Sequence, residues 1–333
     1  MVEEARGGTK SAGRRADAFL APRLGLLGLA SAAAALAGSA TVLGFFDRYH
    51  YLLDILAQFR VQYAIVLGIC GAILLGFRRR RQAATFVALA VVNAALVAPL
   101  YFGGKKAAPN AQRAFRAVLI NVNTENKHRD IVKEFIRETL PDFAVVEEVD
   151  TRWLKALEEL RGTYPYWETN PRSDNMGIAL LSRHPLEKAE IFFIGDSDIG
   201  SVWAEIEISG RKVLVVGTHP TPPGAMETWR LRNEQLTGVA KRVAERKEAT
   251  VVMGDFNATP WCHQFKRFAD YSGLVDSGKG RGAAFTWPVF LWPFSIPIDH
   301  CLHSADLVVV SRRLGPNVGS DHYPLVVDFA FAE

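Results

Sequence analysis

Cysteine is scarce in this chain, with three in 333 residues and no pair at Cys-x-x-Cys spacing. So small a set cannot build the disulfide framework of a small secreted domain or the paired thiolates of a structural zinc site. Cys70 lies in an apolar run, where we expect a packed thiol. The sequence leaves open whether Cys262 and Cys301 form a disulfide.

An excess of positive charge is also missing from most of the chain. Residues 113–333 contain 26 Lys and Arg against 30 Asp and Glu, whereas residues 1–112 contain 13 against 5, which together give the net charge of +4. A domain that holds the nucleic-acid backbone carries a basic footprint. The charge balance therefore disfavours nucleic acid as the partner and leaves room only for a local basic patch.

Three runs in the first third of the chain contain no Asp, Glu, Lys or Arg: residues 24–46, 61–77 and 83–102. About 20 apolar residues cross a hydrocarbon core of ~30 Å. One such run is also typical of a signal peptide or a buried helix, but three in succession predict three transmembrane helices with the lipid bilayer as partner. The second run is short, and the amphipathic residues 51–59 would either lengthen it or lie at the membrane surface.

The distribution of arginine predicts the orientation. Residues 1–23, rich in Gly, Ala and Arg, are predicted to be a disordered basic tail, and residues 78–81 are four arginines. Positively charged segments stay in the cytoplasm, so three spans would place everything after Phe102 outside. Lys105 and Lys106 argue weakly against this orientation.

The sequence pattern of the remaining two thirds is typical of a single domain. Residues 103–113 contain Gly and Pro and are predicted to be a linker that holds the domain near the membrane. Over residues 114–333, short β-branched runs alternate with amphipathic helices, without internal repeats. This pattern predicts an α/β domain built of packed layers.

Residues 250–261 are the stretch around which that domain is organised. A short β-branched run predicts a buried strand that ends at Gly254. Asp255 and Asn257 alternate along the chain, so both can project into one cleft. A carboxylate can orient or deprotonate a water, and an amide can donate to developing negative charge. Asp-x-Asn alone is a weak signal, since a capped turn is its commoner explanation.

Polar residues follow several of the other predicted strands as well. Each of them alone is also explained as a turn cap, a surface charge or a loop histidine, whereas packing does not explain the whole set. They are Asn121, Asn123, Glu147, Glu148, His219, Asp299, His300, Asp321 and His322.

In this order the motifs resemble those of the endonuclease/exonuclease/phosphatase superfamily, over roughly residues 113–333. The residues that carry the resemblance are Asn121, Glu148, Gly217-Thr218-His219, Gly254-Asp255-Phe256-Asn257, Ile298-Asp299-His300 and Ser320-Asp321-His322. The resemblance implies a four-layer αββα sandwich of the DNase I type, of class α/β (α+β). It also places the site at one edge of two packed sheets.

The resemblance further implies a metal site. Glu148 is expected to be the principal ligand, with Asn121 and Asp321 beside it. Oxygen ligands of this kind suit Mg²⁺ or Mn²⁺ and not zinc. Two positions depart from the family pattern: many relatives have Gln at the position of Glu147, and abasic-site endonucleases have Asp at the position of Asn123.

The same resemblance assigns the other roles. His322 is expected to be the catalytic histidine, oriented by Asp299, acting in proton transfer or in binding the scissile phosphate. Asp255 is expected to position the attacking water, Asn257 to donate to the transition state, and His219 to contact the phosphate. During in-line attack, the metal would neutralise charge on the phosphoryl oxygens.

Three spans before such a domain resemble the membrane-anchored bacterial branch of the superfamily, which includes teicoplanin-resistance proteins acting on a polyprenyl pyrophosphate. Residues 287–298 are uncharged, contain four aromatic side chains and lead directly into Asp299. Such a segment either receives a lipid-linked phosphate at the membrane surface or fills core under a Pro-rich loop.

The sequence therefore predicts a Mg²⁺- or Mn²⁺-dependent phosphatase or phosphodiesterase in the bacterial plasma membrane. Its catalytic domain is predicted to be extracytoplasmic and to act on a lipid-linked or other small phosphate. A membrane-tethered nuclease is the first alternative, and the acidic balance of the domain opposes it. An inactive sensor of a phosphorylated ligand is the second, and it conflicts with a complete set of competent side chains.

Overall fold

The structure is a computed structural model that describes residues 25–104 and 112–332. The predicted basic tail, residues 1–23, lies outside the described residues, as do residues 105–111 of the predicted linker. The described chain consists of four N-terminal helices followed by a mixed α/β domain.

The N-terminal helices are α1 (Leu26–Leu43), α2 (Tyr51–Ala57), α3 (Arg60–Gly76) and α4 (Arg80–Val97). By length and composition, the stretches Leu26–Phe46 and Arg80–Leu100 can each cross a membrane. A third crossing exists if α2 and α3 count as one broken span. Helix α2 does not extend α3 in a straight line, because the two are bent by 62°.

The domain contains twelve strands and four helices within the described residues. In chain order these are β1 (Phe115–Asn121), α5 (Arg129–Thr139), β2 (Phe143–Glu147), α6 (Thr151–Leu157), β3 (Tyr166–Asn170), β4 (Ile178–Ser182), β5 (Glu187–Phe192), β6 (Ser201–Ile208), β7 (Arg211–Gly217), α7 (Met226–Ala244), β8 (Ala249–Asp255), α8 (His263–Ser272), β9 (Val275–Asp276), β10 (Asp299–His303), β11 (Leu307–Leu314) and β12 (Leu325–Phe331).

These strands form two six-stranded sheets, with the orders β11-β12-β1-β2-β4-β3 and β5-β6-β7-β8-β10-β9. Their facing sides pack through fully buried side chains such as Phe115, Val145, Val215 and Met253. Helices α5 and α6 cover the outer face of the first sheet, and α7 and α8 cover that of the second. The predicted four-layer αββα sandwich is therefore confirmed.

The strand pairing brings the polar strand ends to one edge. Strands β1 and β2 run parallel at the centre of the first sheet, and β7 and β8 run parallel in the second. Parallel neighbours end at the same edge of a sheet, so the residues that follow them meet there. Strand β10 runs antiparallel to β8 with Asp299 opposite Asp255, which places the start of β10 at the same edge.

Helix α2 packs against the domain. Asp54 is 2% exposed and accepts hydrogen bonds from Trp229 and Arg232 of α7, at 3.1 and 2.5 Å. The side-chain oxygen of Gln58 accepts from the backbone N–H of Thr259 at 2.9 Å. Thus the segment between the first two apolar runs forms part of the domain's outer layer.

All three cysteines are buried free thiols, so Cys262 and Cys301 are not joined by a disulfide. The reason is the layer in which each lies. Cys301 is part of the core between the two sheets, whereas Cys262 packs in the outer layer with α7 and α8. Burial raises the pKa of both thiols, which favours the unreactive protonated form.

Candidate active site

Asn121 ends β1 and Glu148 follows β2, which brings the two side chains together. The amide of Asn121 donates to Oε1 of Glu148 at 2.9 Å. Glu148 has a φ of +60°, a left-handed conformation that costs a residue with a Cβ roughly 1–2 kcal/mol. Burial raises the pKa of the Glu148 carboxyl, and the charge of Asp321 raises it further. Strain of this kind is concentrated at functional sites.

Asp321 lies beside Glu148 on the loop before β12. Its Oδ1 accepts from the amide of Asn123 at 2.8 Å, and its Oδ2 accepts from Nε1 of Trp287 at 2.9 Å. An Asp at position 123 could not make this donation, so Asn suits its neighbour here. Glu148 and Asp321 offer carboxylate oxygens that no Lys or Arg of the described residues holds in an ion pair, a donor set that fits a hard divalent cation.

His322 and Asp299 form the most tightly bonded pair of the site. Nδ1 of His322 lies 2.8 Å from Oδ2 of Asp299, and both residues are almost fully buried. Burial alone would lower the pKa of His322, but the charge of Asp299 and this hydrogen bond raise it to about 10. Burial alone would raise the pKa of Asp299, but the charge of His322 lowers it. The pair is therefore an imidazolium bonded to a carboxylate at neutral pH.

Asp255 faces this pair from the end of β8. Its Oδ2 lies 3.7 Å from Nε2 of His322 and 3.8 Å from Nε2 of His219. Burial and the charge of Asp299 raise the pKa of Asp255 well above its ordinary value. Two neighbouring carboxyl groups, Asp255 and Asp299, thus have pKa values displaced in opposite directions, as in sites that move protons.

His219 follows β7 and is also buried. Burial, and then the charge of His322, lower the pKa of His219 to about 4. Its Nδ1 has no hydrogen-bond partner among the described residues. A neutral imidazole with one unbonded nitrogen can donate to or accept from a ligand that enters the site.

Glu147 is placed differently from its neighbour Glu148. Because successive side chains of a strand point to opposite faces, Glu147 lies between the sheets, where both its oxygens accept from the backbone N–H of Asp255 at 3.0 and 3.3 Å. Burial and the charge of Asp255 raise the pKa of Glu147 well above its ordinary value. This carboxyl therefore holds the backbone of Asp255 in place. It is not part of the cation-ligand set that Glu148 and Asp321 offer.

Asn257 lies beside the site with its side chain turned partly away. Its backbone N–H donates to Oδ1 of Asp255 at 2.8 Å, and its amide donates to the carbonyl of Pro220 at 3.0 Å. Its own carbonyl accepts from Arg232 at 2.9 Å. The predicted donation from Asn257 to a phosphate requires the amide to exchange Pro220 for that ligand.

A second group of possible metal ligands is the trio Asp255, Asp299 and His322, whose ligand atoms lie within 4.8 Å of one another. Within this trio, His322 and Asp299 are already bonded to each other through Nδ1 and Oδ2, and the charge of Asp299 raises the pKa of His322, which opposes the neutral ring that a metal requires. The carboxylates of Glu148 and Asp321 are the better cation ligands.

All eight predicted site residues are thus found along one edge of the sandwich. The sequence prediction missed Trp287, which donates to Asp321, and Thr286, whose hydroxyl accepts from the backbone N–H of Asp299 at 3.3 Å. It also missed Arg232, which holds the Asn257 carbonyl. The uncharged segment of residues 287–298 was the only sequence signal for Trp287, and no local pattern marked Thr286 or Arg232.

Known proteins share this architecture. An endonuclease/exonuclease/phosphatase from Bacteroides vulgatus has a TM-score of 0.57 and 18% identity, covering 66% of this chain and 99% of that chain. The catalytic domain of human nocturnin, with a bound sulfate anion, has a TM-score of 0.56 and 23% identity, covering 67% of this chain and 96% of that chain. These likenesses establish the fold.

Sequence comparison also finds curated relatives. A phospholipase C of Staphylococcus aureus is 25% identical over 190 residues, which are 47% of this chain and 54% of the relative. The chain thus spans about half the length of the curated relatives it matches. The model of the Endonuclease/Exonuclease/phosphatase family matches residues 118–322, more than half of the chain and every residue of the predicted site. The chain belongs to the endonuclease/exonuclease/phosphatase family.

Proposed function

We propose that this chain is a divalent-metal-dependent phosphoester hydrolase, anchored in the membrane, that acts outside the cytoplasm on a lipid-linked phosphate. The observation that carries the proposal is the pairing of His322 with Asp299 across from Asp255, next to the oxygens of Glu148 and Asp321. In this site His322 holds a proton and Asp255 accepts one, while Glu148 and Asp321 offer ligands to a cation.

The proposed mechanism follows from the pKa differences. Asp255, whose pKa is raised, orients the attacking water and accepts its proton. His322 is kept protonated by Asp299, with its Nε2 directed into the site, where it donates to a phosphoryl oxygen or to the leaving group. Neutral His219 and the amide of Asn257 bind the remaining phosphoryl oxygens. When bound by Glu148, Asp321 and Asn121, Mg²⁺ or Mn²⁺ supplies charge neutralisation for the phosphoryl group.

The anchor and the orientation are supported by where α3 begins and ends. Near its start, the amide of Gln62 donates to the carbonyl of Ser295 in the domain, at 2.9 Å. Its 17 residues end at Gly76, next to the four arginines of residues 78–81. A helix of this length covers about 25 Å, so the arginines and the domain lie on opposite sides of an apolar slab. The positive-inside rule then favours an extracytoplasmic domain.

The lipid substrate is supported by the surface next to the site. Phe290, Trp292 and Phe294 are 78%, 81% and 54% exposed, although residues of this kind are normally buried. Exposed aromatic clusters are typical of membrane-contacting surfaces. The exposure of these three side chains contradicts the alternative that residues 287–298 fill the core. The staphylococcal relative is named a phospholipase C, and a phosphoester of a lipid is consistent with that name.

The test uses the full-length protein in detergent with Mg²⁺ or Mn²⁺. We expect it to release phosphate from a long polyprenyl diphosphate or to cleave a phospholipid headgroup, and not to nick supercoiled plasmid. Glu148→Gln should abolish hydrolysis, whereas Glu134→Gln, at an exposed carboxylate of α5, should leave it intact. Plasmid nicking without lipid hydrolysis would favour the tethered nuclease, and a folded protein with neither activity would favour the sensor.

A further inference from the structure

A small apolar groove lies beside the site, at the junction between the N-terminal helices and the domain. Its volume is about 280 Å³. One wall comes from Ile55 of α2 and from Gln58 and Phe59, which connect α2 to α3. The opposite wall includes Trp287 and Ile298. Neither part of the chain forms this groove alone.

The polar atoms in these walls have partners outside the groove. The side chain of Gln58 accepts from the backbone of Thr259 and donates to Asp54 at 2.8 Å. The indole N–H of Trp287 donates to Asp321. Each of these residues therefore turns its carbon atoms to the groove, because its hydrogen bonds are made elsewhere. The groove offers an occupant little to hydrogen-bond, so its surface suits hydrocarbon.

One end of the groove adjoins the proposed phosphate site. Asn257 lines it and is bonded through its backbone to Asp255, and Trp287 links it to Asp321. A molecule whose phosphate lay among these residues would have its next atoms at the mouth of the groove. The size is below the ~300–1,000 Å³ of pockets that enclose a whole drug-sized ligand. The volume of the groove thus suits one segment of a hydrocarbon chain.

The groove also adjoins the exposed aromatic surface. Ile296, in its wall, comes two residues after exposed Phe294. The amide of Gln62 holds this segment against the start of α3. Three and seven residues further along α3, on the same side of the helix, Ile65 and Ile69 are 56% and 58% exposed. The groove therefore lies between the phosphate site and the exposed apolar side chains of α3.

We propose that this groove binds the first segment of a single hydrocarbon chain, the part that directly follows the phosphate of a lipid substrate. The proposal rests on the proposed function, since it assigns a chain-binding subsite to the same reaction. It gives the N-terminal helices a role in substrate selection in addition to anchoring. Three of the ten residues that line the groove belong to the segment between the first two apolar runs, so this segment contributes to the preference for a substrate that carries a hydrocarbon chain.

The first experiment measures chain-length preference in full-length protein. The readout is the ratio of kcat/KM for a long polyprenyl diphosphate to that for methyl diphosphate, which has no chain to enter the groove. Ile55→Trp fills the groove and should lower this ratio about tenfold or more, mainly through KM for the long chain. Ile55→Gln places a polar group in the wall without added bulk and should lower it as well. Leu52→Trp, at an exposed position of the same helix, is the control and should leave the ratio unchanged.

The second experiment does not depend on hydrolysis. A long-chain alkyl phosphonate with a diazirine near the phosphonate should crosslink wild-type protein at the residues of the groove, and Ile55→Trp should abolish that crosslink. Crosslinking at the groove without lipid hydrolysis would overturn the proposed function and keep the subsite. Hydrolysis with an unchanged ratio in both Ile55 variants, or crosslinks only on the outer surfaces of α1–α4, would overturn the subsite and keep the proposed function. The absence of both hydrolysis and crosslinking would overturn both.

Discussion

Asp54 and Arg232 form a two-pronged ion pair between the N-terminal helices and the α/β domain. The distances are 2.5 Å from Nη2 to Oδ2 and 3.1 Å from Nη1 to Oδ1, and both side chains are buried. The same Nη1 donates to the carbonyl of Asn257. A residue outside the α/β domain is therefore two hydrogen bonds from the backbone of the proposed active site.

Replacing Asp54 by Ala should destabilise the protein strongly. It leaves the Arg232 guanidinium buried without its carboxylate, and breaking a buried pair in this way costs about 3–5 kcal/mol. Thermal or denaturant unfolding of the detergent-solubilised protein measures the change. Hydrolysis should also fall, because Arg232 holds the Asn257 loop. Glu187→Ala, which removes an exposed ion pair with Lys212, should change little. If Asp54→Ala and Glu187→Ala change the free energy of unfolding by the same amount, the ion pair between Asp54 and Arg232 does not stabilise the fold.

The contrast between this pair and the site itself shows what the sequence could predict. Asp255 and Asp299 were predictable, because a β-branched run marks a strand and strand ends converge at one edge. The contact between Asp54 and Arg232 joins positions 178 residues apart, and neither hydrophobic periodicity nor turn chemistry encodes such a contact. Residues 51–59 illustrate the consequence, because their amphipathic pattern predicted either an extension of the second apolar run or a segment at the membrane surface, and it did not indicate that Asp54 and Gln58 bind the domain.

The raised pKa of Glu147 leads to a second prediction. The raised pKa favours the uncharged form of this buried carboxyl. Glu147→Gln therefore leaves the side chain uncharged and keeps an oxygen that can accept from the backbone N–H of Asp255. We expect hydrolysis to stay within about threefold of wild type. Glu147→Ala should be far more harmful, since it leaves a buried N–H unpaired at a cost of ~1–3 kcal/mol. Steady-state kinetics on the purified variants compare the two. A Gln variant as inactive as the Ala variant would mean that Glu147 works as a carboxylate.

The lowered pKa of His219 predicts a dependence of stability on pH. The histidine is buried in its neutral form, and its pKa is about 4 against an ordinary value of 6.5. Its stabilising contribution is therefore complete above pH 6.5 and is lost as the pH falls through about 4. The free energy of unfolding of His219→Gln, relative to wild type, should rise by about 3 kcal/mol from pH 7 to pH 4.

Denaturant unfolding at a series of pH values gives this difference directly. The matched control is His128→Gln, which replaces an exposed histidine by the same residue. A difference between His219→Gln and wild type that stays flat over this range would show that folding does not lower the pKa of His219.

The proposed orientation can be checked by labelling engineered cysteines, because the three native thiols are buried. Ser173→Cys lies at an exposed position of the domain, and Gln82→Cys lies next to the four arginines without removing any of them. In intact cells a membrane-impermeant maleimide should modify Ser173→Cys and spare Gln82→Cys, and lysis should expose both. The reverse pattern would place the domain in the cytoplasm and would exclude an extracytoplasmic substrate.

The N-terminal helices are expected to support the folded domain as well as anchor it. Ala57, Val97 and Leu100 are buried in one apolar cluster with α7 and α8, and Trp261 donates to the carbonyls of Ala57 and Gln58. Residues 112–333 expressed alone would expose this surface, and an apolar patch of that kind promotes association. We expect a lower unfolding temperature and aggregation in size-exclusion chromatography, whereas deletion of residues 1–24 alone should change neither. A monomeric fragment with the stability and activity of the full chain would reduce the helices to an anchor.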